Sequence, residues 1–200
     1  MNDFAPSVTP PGVNHNLDPD DSPLDYFYLF LEKSFFEELV VQTNSYAEQE
    51  RTRAAARGHP HKTLWTPTTL PEMKAWIGIN ISYGLKGRSA IDDIWSNRTY
   101  VGDSDLSRIM SRNRYWALSR YFHISDNNQT VLNQHDPNYD PLYKVRAMIN
   151  LVNANSARVY KPKQNICVDE AMVKCKSRHH AKQYMPQKSI KWGDQSWDLC

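Results

Sequence analysis

The sequence contains no apolar run near the ~20 residues that a helix needs to cross a bilayer, and so predicts no membrane-spanning helix. Cysteine is scarce: Cys167, Cys175 and Cys200 are an odd number with no Cys-x-x-Cys pair. That excludes a zinc ribbon or a disulfide framework and fits a reducing, intracellular compartment. The opening stretch MNDFAPSVTPPG has neither a basic segment nor an apolar core and does not read as a secretory signal. No internal repeat is visible.

What is present suits a folded protein. The 200 residues are 40% hydrophobic and 12% aromatic, enough for one or two domains with a real core. Six Trp and eleven Tyr imply large buried faces or stacking surfaces. The formal net charge is only +2, but it is unevenly spread. Residues 1–50 carry ten acids and one Lys; residues 158–191 carry nine Lys/Arg and two acids. The asymmetry fits a basic face that meets a polyanion, and equally a solvated basic loop beside an acidic arm.

Residues 1–22 are rich in Pro, Asp and Asn and are predicted as a disordered arm. Ser22-Pro23-Leu24-Asp25 is a helix start, after which Leu24, Phe27, Tyr28, Leu31, Phe35 and Leu39 predict one helix running toward Gln49. Arg51–Lys62 is basic, is broken by Gly58 and Pro60, and reads as a linker or an exposed helix end. Thr69-Leu70-Pro71-Glu72 opens a second helix, with Met73, Trp76, Ile77, Ile81 and Leu85 on one face and Gly84 and Gly87 at its end. A turn at Ile91–Trp95 follows. Ser104 or Asp103 caps Leu106–Met110, and Asn113–Phe122 continues as helix. Ser125–Asp140 is a polar loop, and Asp140-Pro141 opens a helix bearing Leu142, Val145, Ile149 and Val152. The texture changes near Pro162. Ile166–Val173 reads as a buried strand, Ala181–Met185 and Ser196–Cys200 as its partners, with Pro186 and Gly193 at the turns. The expected fold is a mainly α-helical N-terminal region followed by the first strands of an α/β sheet.

Within that last segment, Asp169 sits on a strand between apolar neighbours, while Glu170 points to the opposite face. A lone strand carboxylate is a weak signal for a metal. Lys174, Lys176, Arg178, Lys182, Lys188 and Lys191 are candidate phosphate contacts, or ordinary solvated lysines and an arginine on a hairpin. Arg112, Arg114 and Arg120 alternate with Tyr115, Trp116 and Tyr121; the aromatics read as core and the arginines as solvent-facing. His179-His180 has no carboxylate or Cys at a useful ligand spacing. The Trp residues at 65, 76, 95 and 116 read as packing anchors.

Several long motifs, in order, carry a family resemblance. They are PLDYFYLF (Pro23–Phe30), MKAWIGINI (Met73–Ile81), IMSRNRYWALSRYFHISDN (Ile109–Asn127), DPLYKVRAMI (Asp140–Ile149), VDE (Val168–Glu170), the basic turn Lys176–Arg178, KQYMP (Lys182–Pro186) and KWG (Lys191–Gly193). Together they resemble piggyBac transposases and their domesticated relatives from about Pro23 to Cys200. Cys175 and Ser177 stand where relatives usually have Phe and Gly, and Gln195 lies near a position that is often Lys.

The resemblance implies a helical dimerisation and DNA-binding region over 23–163 and an incomplete RNase-H-like catalytic domain over 164–200. It implies three catalytic Asp residues holding two Mg2+ or Mn2+ ions, cutting and insertion at TTAA, a double-stranded DNA partner, a possible homodimer and nuclear residence. Of the three Asp positions, only the first maps here, onto Asp169. One carboxylate does not hold two ions, so these 200 residues are expected to bind DNA without cutting it. Two further readings stand beside this one: the N-terminal piece of an active transposase, and a domesticated interaction module.

Overall fold

The computed structural model describes residues 10–59, 65–87, 90–98, 100–128, 131, 133, 135–175 and 182–199. Contacts divide the chain into two compact units, residues 31–129 and the remainder.

The 31–129 unit is helical: α2 (Lys33–Ala56), α3 (Leu70–Lys86), a 3-10 turn (Ile91–Trp95), α4 (Ser104–Ile109) and α5 (Arg112–Tyr121). On α2, Phe36, Leu39, Thr43 and Ala47 recur at three- and four-residue spacing and are all buried. Each large apolar side chain buried this way contributes roughly 1.5–3 kcal/mol. The main core joins Ile79, Ile94, Leu106, Met110, Tyr115 and Leu118, with Trp65, Trp76 and Trp95 packed against it. The indole donors of two of these are met: Trp76 donates to Ser119 Oγ (3.2 Å) and Trp95 to the Met110 carbonyl (2.8 Å). Asn44 clamps Thr68, two residues before α3, donating to its carbonyl and accepting its amide. Helix starts use the expected chemistry. Pro71 sits in the first turn of α3, the Asp103 carboxylate accepts the Leu106 amide, and the Ser111 hydroxyl accepts the Arg114 amide. Gly87 ends α3 in the left-handed conformation (φ 59°), where a Cβ would be strained.

The second unit begins with β1 (Gly12–Val13), antiparallel to β2 (Tyr160–Lys161), followed by α1 (Pro23–Phe30). Ser22 caps α1, accepting the Asp25 amide. Helix α6 (Tyr143–Val159) packs against α1 and supplies the end of that helix with donors. Asn155 Nδ2 reaches the Phe30 carbonyl (2.9 Å), and Arg158 reaches that of Leu29 (3.0 Å), satisfying groups that a helix C-terminus leaves open. The unit closes with a three-stranded antiparallel sheet: β3 (Val168–Lys174), β4 (Lys182–Tyr184) and β5 (Trp192–Leu199), in the order β3-β5-β4.

Several expectations are corrected. Residues 10–22 of the predicted disordered arm are ordered: β1 pairs with β2, the Asn14 amide reaches the Val159 carbonyl, and Tyr26 donates to Asp18. Residues 1–9 lie outside the described residues. The single helix expected from Leu24 past Leu39 is two, parted at Leu31-Glu32, because α1 packs on α6 while α2 packs on α3 and α5. On α3 the buried side chains are Met73 and Ile79; Ile81 and Leu85 are exposed, Leu85 at 84%. Gly193 is inside β5, not at a turn. Ile166–Val173 is not a buried strand: β3 starts at Val168 and, among the described residues, pairs only with β5, so it lies at the edge of the described sheet with most of its residues exposed. Arg114 does not face solvent. It forks onto both oxygens of Glu72 (2.6 Å each) and lies over the Trp65 ring.

Candidate nucleic-acid interface

The register of the sheet decides which side chains share a face, because residues directly opposite in an antiparallel pair project the same way. Asp169 pairs with Asp198, Ala171 with Ser196 and Val173 with Asp194. On the other side of β5, Lys182 pairs with Asp194 and Tyr184 with Trp192. One face therefore carries Asp169, Asp198, Ser196, Asp194, Trp192, Lys182 and Tyr184. Glu170, opposite Trp197, is on the reverse, as strand alternation predicts.

Gly193 makes this arrangement possible. A Cβ there would lie 2.2 Å from the Val173 carbonyl oxygen, so only glycine lets β5 approach β3 this closely. The turn after β4 is held by the Met185 amide donating to the Lys191 carbonyl and the Lys188 amide donating to that of Met185.

The sequence candidates fall into place unevenly. Lys174, at the end of β3, and Lys182, at the start of β4, border one open hollow of about 360 Å³ together with Cys175 and Trp192. Lys191 is exposed just before β5. Lys188 instead turns to Glu170, its Nζ 3.5 Å from both the carboxylate and the carbonyl oxygen. Lys176 and Arg178 lie outside the described residues, as do His179 and His180. Asp169 is exposed, and one of its oxygens accepts the Glu170 amide (2.8 Å).

Three features carry more than the sequence suggested. Asp198 faces Asp169 directly across the strands, and like charges so placed repel. Ser196 donates to Asp198 at 3.1 Å. Tyr184 and Trp192 lie side by side, ring centroids 4.6 Å apart, with Lys182 Nζ 5.4 Å from the indole centroid. Both rings are about half exposed, at 51% and 54%. The signal available in the sequence was the aromatic in KQYMP and in KWG, two short motifs on either side of one turn.

Oxygen donors suit a hard divalent cation, and Asp169 with Asp198 offers two carboxylates. Among the described residues, however, no three Asp, Glu, His or Cys side chains are grouped to hold a metal ion. The described residues do not by themselves fit a two-ion centre.

Elsewhere the charged side chains pair with one another. Arg112 donates to Asp92 (2.7 Å), which also accepts from Trp116, and these bonds hold the Asp92 carboxyl below its ordinary value. Arg146 donates twice to Asp140, which is lowered to about 2 chiefly by that bond. Lys86 pairs with Asp103. Among the described residues, no helix is long and apolar enough to cross a membrane.

Comparison with known proteins gives a consistent result. The family model described as Transposase IS4 matches residues 22–200. The human PiggyBac transposable element-derived protein 5 is 28% identical over 162 residues, covering 81% of this chain and 29% of that protein. The human PiggyBac transposable element-derived protein 3 is 26% identical over 176 residues, covering 88% and 27%. The chain thus spans less than a third of these relatives. A solved piggyBac transposase synaptic complex with hairpin DNA superposes with a TM-score of 0.74 at 21% identity, covering 96% of this chain and 38% of that one. This likeness is one of fold.

Proposed function

Since the chain belongs to the piggyBac-type transposase family, we propose that its 200 residues bind double-stranded DNA through the lysine-bearing end of the β3-β5-β4 sheet, without cutting it. The observation that carries the reading is that Lys174 and Lys182, at neighbouring strand ends, both border one open hollow, with Lys191 exposed just before β5. Lysines so placed meet phosphates, which supply affinity and salt dependence but little sequence information. The solved neighbour is itself a complex with hairpin DNA, which supports the choice of polyanion. The sheet is read as the opening strands of an RNase-H-like fold, with Asp169 at the position of the family's first catalytic carboxylate. Nuclear residence follows from a DNA partner.

Titration of a labelled duplex, followed by fluorescence anisotropy at several salt concentrations, tests the binding. Affinity should fall linearly with salt on logarithmic axes; absence of binding at low salt would remove the proposal. The duplex incubated with the chain and Mg2+ or Mn2+ should stay intact. Cutting that disappears in Asp169→Ala would overturn the second half of the reading.

A second reading, a dimerising interaction module, is favoured by one observation: Ile81 and Leu85, one turn apart on α3, are both exposed. Sedimentation of the wild type and of Ile81→Asp/Leu85→Asp tests it. A dimer abolished in the variant supports it, and a monomeric wild type removes it.

A further inference from the structure

We propose that Glu170 is a positioning residue for the DNA contact: through Lys188 it fastens the turn between β4 and β5, and that turn presents Lys191 to phosphate. This rests on the reading of the chain as a DNA binder and divides its lysines. Lys191 meets phosphate, and Lys188 does not.

Glu170 follows Asp169 but projects from the reverse of the sheet, so its side chain has no part in the Asp169–Asp198 face. Its contacts give it another task. Its amide donates to an Asp169 oxygen at 2.8 Å. Its carbonyl and its carboxylate each lie 3.5 Å from Lys188 Nζ. Neither of these two side chains is fully exposed, Glu170 at 26% and Lys188 at 39%. The turn has two backbone ties of its own. The Lys188 amide donates to the Met185 carbonyl (3.2 Å), with Pro186 at the second position, where a turn favours proline. The Met185 amide donates to the Lys191 carbonyl (2.9 Å). Both ties lie within residues 185–191; the Lys188 ammonium fastens that segment to β3.

Two lysines three positions apart thus have different uses. The Lys188 ammonium is committed to two oxygens of one residue. Lys191 is exposed, and among the described residues no hydrogen bond or ion pair engages its ammonium. A lysine on a fixed backbone loses less freedom when it meets phosphate than one on a loose arm. Removing the Glu170 charge therefore has two opposed effects. The local field becomes more positive, which by itself favours a polyanion. The turn loses its hold on β3, which weakens the Lys191 contact. The positioning role requires the second effect to win.

The test uses the whole chain and a labelled duplex over a series of salt concentrations. Glu170→Gln should bind about three-fold more weakly than wild type, at an unaltered salt slope, although it removes a negative charge. Lys188→Ala should do the same, and Glu170→Gln/Lys188→Ala should bind no more weakly than either single variant. Lys191→Ala should lower the slope by about one. Hydrogen exchange at the Met185 and Lys188 amides should quicken in Glu170→Gln, while unchanged protection in α2–α5 shows that the variant is folded. Equal or tighter binding by Glu170→Gln overturns the positioning role, and so does a slope that falls in Lys188→Ala, which would make Lys188 a phosphate contact itself. Both results leave duplex binding by the wild type in place. If the wild type binds no duplex, the DNA reading falls and the role of Glu170 with it.

Discussion

The helical unit buries many of its aromatic residues, with Trp116 and Tyr100 as exposed exceptions, whereas the three-stranded sheet leaves three of its own exposed. In residues 31–129, Trp65, Trp76, Trp95, Tyr115 and Tyr121 pack in or against a buried core. Tyr115 is buried enough to push its phenol up, and its hydroxyl donates to Asn80. In the sheet, Tyr184, Trp192 and Trp197 are half exposed or more. Packing accounts for the first set of rings. Of the second set, Tyr184 and Trp192 pair with each other across the strands, and Lys182 lies over the Trp192 ring. That difference points the functional reading to the sheet.

The sharpest way to break the comparison is to truncate both regions. Leu118→Ala, in the core, should cost about 2–5 kcal/mol by chemical denaturation, because the side chain is 1% exposed. Trp197→Ala, on the reverse of the sheet, should cost no more than about 1 kcal/mol. Equal losses would mean that the sheet is as tightly packed as the bundle. Next in size is Gly193→Ala. The new methyl would collide with the Val173 carbonyl, forcing β3 and β5 apart at a cost of about 1–3 kcal/mol. Hydrogen exchange should accelerate along those two strands and leave α2–α5 unchanged.

A smaller effect is expected at the ion pair beneath Trp65. Arg114→Ala leaves Glu72 without its fork and should cost about 1–2 kcal/mol, since both side chains are only partly buried. Smaller still is an acid effect. Asp140 titrates at about 2 in the folded chain, held down first by Arg146, against roughly 3.9 when unfolded. A lowered carboxyl contributes stability that is complete above the unfolded value and is lost as pH falls through the folded one. Wild type should therefore lose stability between about pH 4 and pH 2, and Asp140→Asn should lose less over that window. Urea midpoints at each pH measure this.

Much of the helical unit was legible in the sequence because its signals are local. Ser22-Pro23, Thr69 to Pro71 and Asp103 mark helix starts within a few residues of where the caps form. Ile91–Trp95 is the expected short turn. What was not legible depends on partners distant in sequence. The chain parts at Leu31-Glu32 because α1 and α2 pack on different helices, and Leu85 continues an apolar stripe yet stays exposed. The order of residues 10–22 is set by β2, some 150 residues away. The sheet was foreseen, but its register was not. Register alone places Asp198 opposite Asp169 and Tyr184 beside Trp192, and a one-residue slip would have put each on the other face. Gly193 reads as a turn residue locally, yet it is needed where two backbones meet.

The central claim, that the sheet and not the arginine-rich helix meets DNA, is tested most directly by the salt dependence of duplex binding. Lys174→Ala/Lys182→Ala should reduce the logarithmic salt slope by about two, roughly one for each phosphate no longer neutralised. Arg112→Ala/Arg120→Ala, on α5, should leave it unchanged. An unaltered slope in the lysine variant, or an equal fall in the arginine variant, would contradict the assignment.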